Sequence, residues 1–349
     1  MPRLRRADIA GPGITRRRRG RGSEYRDENG ELIDDVETLE RIRELAIPPA
    51  WRDVWICPYP NGHIQAVGTD AAGRKQYRYH QRWRERRDQI KFDKMTEFAR
   101  ALPTLRQGAA EDVRRDGFPR ERVLAGAVRL LDRGFFRIGG EEYAEANESY
   151  GLATMHKRHV TLEPGYWIRF DFPAKSGRQQ VKSVVDPDVY ELVGALKRRR
   201  AGGPELLAYQ SDRAWFDVKS ADINAYIKEA TGGDFSAKDF RTWSGTVMAA
   251  VALATAGPVA RSKTGRKRAI AWAIKDVADK LGNTPAVARA SYIDPRVFDR
   301  YEGGVTIGNA LVAIGDVEEL GEPAFQGAIE EAVLDLLEDE KSPALEKVA

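Results

Sequence analysis

The hydrophobic pattern of this chain changes its period once, near residue 80, and no other feature constrains the fold as strongly. Before that point, short β-like runs are separated by turn sequences such as Pro60-Asn61-Gly62, and Asn-Gly is a strong hairpin signal. After it, apolar residues recur at helical spacing. A chain of 349 residues is long enough for about two domains. The sequence therefore predicts an α+β protein, with a small N-terminal β-rich module and a mainly α domain that carries a small β-sheet insertion.

The individual elements follow this division. Strands are predicted at 54–57 and 63–67, and a helix at 36–45 is expected to start from Asp34 or Asp35 as its N-cap. Beyond residue 80, the spacing predicts helices over 81–101, 104–115, 119–132, 187–199, 217–230, 237–256, 262–281 and 284–292. Residues 161–170 and 179–182 predict the inserted sheet, with its turn at 175–178.

The charged residues are distributed unevenly along the chain. The net charge is only +4, yet residues 1–22 carry +7, residues 23–305 carry +6 and residues 306–349 carry −9. We therefore predict an Arg/Gly-rich arm at 1–22, a β-rich domain at 23–85, a mainly α domain at 86–305, and an acidic tail at 306–349 with one helix at 323–337. The arm either lies on phosphate backbones or is a mobile, solvated tail.

Several protein classes are excluded by composition. With one cysteine, Cys57, the chain can form no internal disulfide and no Cys-cluster metal site. The longest apolar run, residues 247–254, is far shorter than the ~20 residues of a membrane span, and the Arg-rich N-terminus does not resemble a signal peptide. We expect a cytoplasmic protein without membrane association and with a preference for polyanions.

Two motifs fail as cofactor sites. Residues 257–264 nearly match a phosphate-binding P-loop, but Ser262 stands where the second glycine is needed, and the segment follows a predicted helix instead of a strand. His156 and His159 fall on a predicted strand, where residues three apart face opposite sides and cannot share a metal ion. The sequence therefore predicts neither a metal nor a nucleotide cofactor.

Basic and aromatic residues alternate over residues 73–83. On a strand, Gln76, Arg78 and His80 would face one side, while Lys75, Tyr77 and Tyr79 would face the other. This pattern suits contact with nucleic acid, but it equally suits a strand that packs its tyrosines into a core. The run at 197–200 is interpreted as a solvated helix end, and the denser run at 261–268 as a phosphate contact.

Three separated segments together resemble one family. The first is residues 135–152, with Phe135-Phe136-Arg137-Ile138-Gly139, Tyr143 and the run 145–152. The second is Lys238-Asp239-Phe240-Arg241-Thr242-Trp243, and the third is residues 281–292, which ends at Tyr292. Their order and spacing resemble the small type IB DNA topoisomerases of bacteria and poxviruses over about residues 14–305. Phe240 and Trp243 are predicted core residues.

The resemblance implies a set of catalytic roles. Tyr292 matches the nucleophile that attacks a DNA phosphodiester, which forms a 3′-phosphotyrosyl link and frees a 5′-hydroxyl. Arg137 and Arg241 match the pair that clamps the scissile phosphate. Lys175, at the tip of a predicted hairpin, matches the general acid for the departing 5′-oxygen, and Lys238 matches a lysine that assists it.

The remaining positions carry over in the same way. Asn283 stands where poxvirus and nuclear members have histidine and is similar to the bacterial branch; it can donate a hydrogen bond to a nonbridging oxygen, but it carries no charge. Thr284 and Pro285 are also typical of the start of a helix, with Thr284 as the N-cap and Pro285 in the first turn. The DNA-contacting positions implied by the resemblance are Arg74, Gln76, Tyr77, Tyr79 and Tyr143. The expected partner is double-stranded DNA, held by a nucleoid-associated monomer that closes around it as a clamp.

The implied chemistry accounts for these residue types. Forming the anion of a free tyrosine at pH 7 costs about 4 kcal/mol, and guanidinium groups can offset part of that. The phosphotyrosyl bond keeps the energy of the broken one, so resealing needs no ATP and no metal. A tyrosine recombinase, or a non-enzymatic architectural DNA binder, are the alternatives. Lys238, where recombinases usually carry histidine, and the β-rich front module favour the topoisomerase.

Overall fold

The computed structural model describes residues 3–20, 22–256, 262–314, 327–339 and 341–347. They form two compact units, Met1–Asp93 and Lys94–Ala349. The first unit is β-rich and the second is mainly helical with smaller sheets, so the predicted α+β class is confirmed. Across the described ranges, no helix is long and apolar enough to cross a lipid bilayer.

The first unit is built on a five-stranded antiparallel sheet with the strand order β2-β1-β3-β4-β5. Its elements are β1 (Ile14–Arg19), β2 (Gly22–Arg26), α1 (Val36–Glu44), β3 (Arg52–Ile56), β4 (Ile64–Thr69) and β5 (Lys75–Tyr79). Ile14, Ile42, Val54, Ile56 and Ala66 form its core, to which α1 contributes Ile42. Asp35 accepts a hydrogen bond from the backbone of Thr38 and is the N-cap of α1, as one of the two predicted candidates.

The boundary at residue 22 differs from the prediction. Residues 14–19 are strand β1, which pairs with β2 on one side and β3 on the other. The preceding residues are also attached, because Arg5 hydrogen-bonds through its backbone to Asn61 and stacks its guanidinium on Tyr59 at 3.7 Å. The charge of residues 1–22 suggested a separate arm. Backbone pairing and the burial of Ile14 instead make residues 14–19 part of the sheet.

The second unit surrounds one buried helix. Its elements in chain order are α2 (Gln81–Asp112, which begins in the first unit), α3 (Arg120–Gly134), α4 (Glu141–Asn147), β6 (Val160–Glu163), β7 (Trp167–Ala174), β8 (Arg178–Val185), α5 (Pro187–Arg198), β9 (Ala208–Ser211), β10 (Ala214–Asp217), α6 (Ser220–Thr231), α7 (Ala237–Thr255), α8 (Lys263–Leu281), α9 (Pro285–Ser291), α10 (Pro295–Glu302), β11 (Val305–Thr306), α11 (Gly308–Ile314), α12 (Ala328–Glu338) and β12 (Glu346–Lys347). Helix α7 contacts α3, α8, α10, α11 and α12, which explains the apolar run at 247–254.

One predicted helix boundary was wrong. The sequence predicts separate helices over 81–101 and 104–115, but α2 continues through Pro103. Leu102 and Leu105 on either side are fully buried, so packing compensates for the hydrogen bond that proline cannot make.

The helix predicted in the acidic tail at 323–337 is present as α12, although residues 323–326 lie outside the described residues. Helix α12 buries Val333, Leu336 and other apolar side chains against α7, α10 and α11.

Two charged segments also differ from their predictions. His156 and His159 lie around a 3-10 turn instead of a strand; their rings stack 5.3 Å apart, and the backbone of His156 donates to Nδ1 of His159. Lys197 and Arg199 are not solvated, because both donate to carbonyl oxygens, Lys197 to Lys157 and Arg199 to Leu206. These cations hold loop ends in place, a use that local charge density does not reveal.

Candidate active site

Tyr292 ends a short helix in the second unit. Its backbone N–H donates to the carbonyl oxygen of Ala288 at 2.9 Å, and the side chain is half-buried. At the other end of α9, the hydroxyl of Thr284 accepts from the backbone of Val287, and Pro285 is the first helical residue, as the sequence predicts. Asn283 precedes the cap, so one turn-and-helix unit carries both Asn283 and Tyr292.

Helix α7 runs against this tyrosine without a side chain between them. A Cβ atom built on Gly245 would lie 2.4 Å from the carbonyl oxygen of Tyr292 and 3.2 Å from its Cβ. Any larger residue would force α7 and the tyrosine apart. The sequence analysis missed Gly245, and the only local signal is a glycine in the interior of a predicted helix.

Arg241 lies on the same helix, one turn before Gly245, and is only 3% exposed. It donates to the carbonyl oxygen of Phe135 and, at 2.7 Å, to that of Leu281, and its guanidinium carbon lies 5.1 Å from the centre of the Tyr292 ring. Its Nε has no hydrogen-bond partner among the described residues. The sequence therefore folds so that a buried cation faces the tyrosine with one donor unused.

Burial, and to a lesser extent the charge of Arg137, lower the pKa of Arg241 to about 10, while Tyr292 acts in the opposite direction. A value near 10 leaves the guanidinium charged at neutral pH. Two cations that disfavour each other's charge, in a buried site, are stabilised when an anion binds between them.

Arg137 contacts the other member of the cluster directly. Its Nη2 donates to the carbonyl oxygen of Gly282 at 2.9 Å and to the side-chain oxygen of Asn283. The Nδ2 of Asn283 is buried and has no partner in the described part of the chain. Arg137, Arg241, Asn283 and Tyr292 thus form one cluster that presents two cations and unpaired N–H donors.

The two predicted lysines are placed differently. Lys175 is exposed in the 3-10 turn (Lys175–Gly177) between β7 and β8, as the sequence predicts for a hairpin tip. Lys238 is exposed in the first turn of α7. Within the described residues, no hydrogen bond or ion pair joins either lysine to the cluster of four. Phe240 and Trp243 are core residues, as predicted.

The predicted DNA-contacting residues lie mostly in the first unit. Tyr77 and Tyr79 are 38% and 39% exposed on one face of β5, with their rings stacked 6.0 Å apart. This excludes the alternative that the strand packs both tyrosines into a core. Arg74 and Gln76 each donate to Asp70. Tyr143 falls on α4, and its side chain lies outside the described residues.

The sequence segments tested as cofactor sites have structural roles. Ser262 is the N-cap of α8 and accepts from the backbone of Gly265 at 3.0 Å, while residues 257–261 of the same segment lie outside the described residues. Where the structure describes the chain, no group of three or more His, Cys, Asp or Glu side chains is arranged to hold a metal ion.

Comparison with known proteins identifies the family of this chain. Residues 80–306 match the family model described as eukaryotic DNA topoisomerase I, catalytic core, and residues 22–70 match that of the bacterial DNA topoisomerase IB N-terminal domain. The chain is 33% identical to DNA topoisomerase 1B of Acanthamoeba polyphaga mimivirus over 285 residues, which cover 80% of this chain and 83% of the relative. The chain belongs to the type IB DNA topoisomerases. It is also 23% identical to DNA topoisomerase 1B of Vaccinia virus (strain Copenhagen), over 80% of this chain and 87% of that protein.

Membership makes the chain a type IB topoisomerase enzyme. Among nuclear relatives, DNA topoisomerase 1 alpha of Arabidopsis thaliana is 28% identical over 127 residues, which cover 36% of this chain and 13% of that protein. The matched core, residues 80–306, contains the four clustered residues and both lysines.

Proposed function

We propose that this topoisomerase relaxes supercoiled duplex DNA by cutting one strand, letting the free end rotate and resealing the break, without ATP or a metal ion. The observation that carries the proposal is the placement of the Arg241 guanidinium, buried and 5.1 Å from the ring centre of Tyr292. A neutral phenol beside a cation with a free donor suits attack on a phosphodiester, where negative charge grows in the transition state.

The chemical step is an exchange of one phosphodiester for another. The hydroxyl oxygen of Tyr292 attacks the phosphorus and its proton passes to solvent water, and the bond to the 5′-oxygen breaks as the 3′-phosphotyrosyl bond forms. Arg137, Arg241 and Asn283 hold the nonbridging oxygens. Lys175 gives its proton to the departing 5′-oxygen and Lys238 assists, because an alkoxide is a poor leaving group.

Resealing is the reverse reaction. The 5′-hydroxyl attacks the phosphotyrosyl phosphorus, a proton returns to Lys175, and the Tyr292 phenol leaves. The phosphotyrosyl bond preserves the free energy of the original linkage, so no nucleotide has to be hydrolysed. Between cutting and resealing, the end with the free hydroxyl rotates and releases supercoils of either sign.

The duplex is held by contacts outside the cluster. Tyr77 and Tyr79 present an exposed aromatic face of β5. Arg74, before this strand, and Gln76, on its other face, donate to Asp70 in the free protein, and we include both among the contacts from the family resemblance. We include Tyr143 among these contacts from the family resemblance. A single chain closes around the duplex as a clamp and works as a monomer on nucleoid DNA in the cytoplasm.

A plasmid relaxation assay tests the proposal. The protein is incubated with negatively and with positively supercoiled plasmid in a buffer that contains EDTA and no ATP, with the Tyr292→Phe variant as the control. We expect relaxation of both plasmids by the wild-type protein and none by the variant. Binding without relaxation would favour the architectural alternative, and exchange between two specific sites would favour a recombinase.

A further inference from the structure

Besides its apolar contacts, the helix of the acidic C-terminal segment places one carboxylate, that of Glu330, against three other helices of the second unit. Glu330 of α12 accepts from Nε1 of Trp243 at 2.7 Å, and both of its oxygens accept from Arg106 of α2, at 2.5 and 3.0 Å. Arg106 also forms two hydrogen bonds with Asp132 of α3, at 2.8 and 2.9 Å. These four side chains, which we call the Glu330 network, join four helices.

The network contains two carboxylates and one guanidinium. All three ionised members are at least three-quarters shielded from solvent. Burial by itself would lower the pKa of Arg106, but the hydrogen bonds that it donates to Glu330 and Asp132 raise this pKa overall. A paired guanidinium in such surroundings holds its partners in one geometry, because breaking either bond leaves a buried charge uncompensated.

The network includes residues that are close in sequence to both arginines of the active-site cluster. Trp243 follows Arg241 by two residues on α7, and Asp132 precedes Arg137 by five residues, at the C-terminal end of α3. The segment between Asp132 and Arg137 includes Phe135, whose carbonyl oxygen accepts from Arg241. The two segments that carry the arginines are therefore linked to each other through Glu330 and Arg106.

Resting on the function proposed above, we propose that Glu330 is a positioning residue for cleavage: through Trp243, Arg106 and Asp132 it fixes the separation of Arg137 and Arg241 at the scissile phosphate. The acidic C-terminal segment is then a working part of the active site. Neither the family resemblance nor the charge pattern of the tail assigns it this role.

The chain offers a matched control on the same two helices. Glu338 of α12 pairs with Arg100 of α2 at 2.5 Å, so it is the same residue type, with the same kind of partner, between the same elements. Arg100 is 57% exposed, and within the described residues no hydrogen bond joins this pair to α3 or α7. Glu338→Gln thus removes a tie between α12 and α2 without touching the segments that carry the arginines.

The test compares Glu330→Gln, Trp243→Phe and Glu338→Gln with the wild-type protein. Covalent capture is timed in single-turnover reactions on a duplex that contains a cleavage site mapped with the wild-type protein. Duplex affinity is measured by fluorescence anisotropy with Tyr292→Phe added to each variant, and melting temperature is measured by scanning calorimetry. A second duplex carries a neutral methylphosphonate at the cleavage site, which removes the charge that the arginines neutralise.

We expect Glu330→Gln and Trp243→Phe to slow capture by at least about tenfold, with duplex affinity changed less than about twofold, since small displacements of reacting groups have effects of this size. On the methylphosphonate duplex, we expect the capture rates of these two variants to lie closer to the wild-type rate. Glu338→Gln should capture both duplexes at rates within about twofold of the wild-type rate. A structural role alone would slow capture equally on both duplexes.

Three results would overturn the assignment. The first is a wild-type capture rate in both Glu330→Gln and Trp243→Phe. The second is an equal loss of capture rate on the charged and the neutral duplex, and the third is an equal loss of capture rate in Glu338→Gln. If Glu330→Gln does not fold, Trp243→Phe decides the question, because it leaves Glu330 and Arg106 in place and removes the indole N–H donor together with part of the buried ring. Failure of the wild-type protein itself to capture DNA would instead refute the proposed function.

Discussion

Arg137 donates to the side-chain oxygen of Asn283, and this contact decides which atoms of both residues remain available. The oxygen of the amide is occupied, while its Nδ2 stays buried and without a partner among the described residues. The acceptor is neutral, so the charge of Arg137 is not cancelled. An amide at this position therefore orients the guanidinium and adds a donor of its own.

Substitutions at Asn283 separate these two contributions. Asn283→Ala removes the Nδ2 donor, and we expect covalent capture to slow by about 10²-fold, the usual effect of losing one transition-state donor. Asn283→Asp should be more harmful, because a carboxylate would pair with Arg137 and repel the phosphate. Single-turnover capture rates check the order, and an Asp variant faster than the Ala variant would contradict it.

Gly245 is expected to set the position of the nucleophile. Gly245→Ala would place a Cβ 2.4 Å from the carbonyl oxygen of Tyr292, so we expect α7 and α9 to separate, with slower capture and a stability loss of about 1–3 kcal/mol. Gly108→Ala in α2 is the matched control, since open space surrounds that glycine. It should stabilise the protein by about 0.5–1 kcal/mol and leave capture unchanged. Equal effects of the two substitutions, measured by denaturation and capture, would refute the role of the close approach.

The exposed face of β5 predicts a distinct salt dependence of DNA binding. Tyr77→Phe and Tyr79→Phe should weaken duplex binding by removing hydroxyls, without changing the slope of log affinity against log salt. Arg74 is paired with Asp70 in the free protein, so Arg74→Ala should reduce that slope by at most about 1, the value for an arginine that exchanges Asp70 for a phosphate on binding. Anisotropy titrations between low and physiological salt measure both quantities. A changed slope in the tyrosine variants would contradict the assignment.

His159 predicts a loss of stability at mildly acid pH. Burial, with His156 and Arg158 nearby, lowers the pKa of His159 to about 4 from an ordinary value of 6.5. Between these two values the unfolded chain binds a proton that the folded protein does not, so unfolding becomes more favourable as the pH falls. We expect this residue to contribute about 2 kcal/mol to the loss between pH 7 and pH 4. Denaturant unfolding of His159→Gln should show a flatter pH dependence, and an unchanged one would be evidence against this cause.

Local chemistry made part of this structure predictable from sequence. Asp35 and Thr284 were identified as helix caps because a cap depends on only the next three residues. The change of hydrophobic period near residue 80 likewise predicted the fold class. A helix or strand that buries one face repeats its apolar residues with the period of that element, so the period is visible in the sequence. The hairpin that carries Lys175 was visible for the same reason.

Long-range packing accounts for what the sequence did not show. The contacts of Arg241 with Phe135 and Leu281 join residues far apart in the chain. The importance of Gly245 depends on its close approach to Tyr292 at the end of α9, which is also distant in sequence. The helix in the acidic tail was predicted, but its sequence did not show that Glu330 has a buried partner on α2. Pattern within a segment cannot reveal a partner in another one.

The most direct test of the account is to identify the atom that becomes linked to DNA. Wild-type protein is mixed with radiolabelled duplex, denatured during the reaction and digested, and the labelled peptide is sequenced by mass spectrometry. The account predicts a phosphodiester on Tyr292 joined to a 3′ end, with no capture by Tyr292→Phe although that variant still binds duplex. A label on any other residue, a 5′ linkage, or full capture by the Phe variant would contradict it.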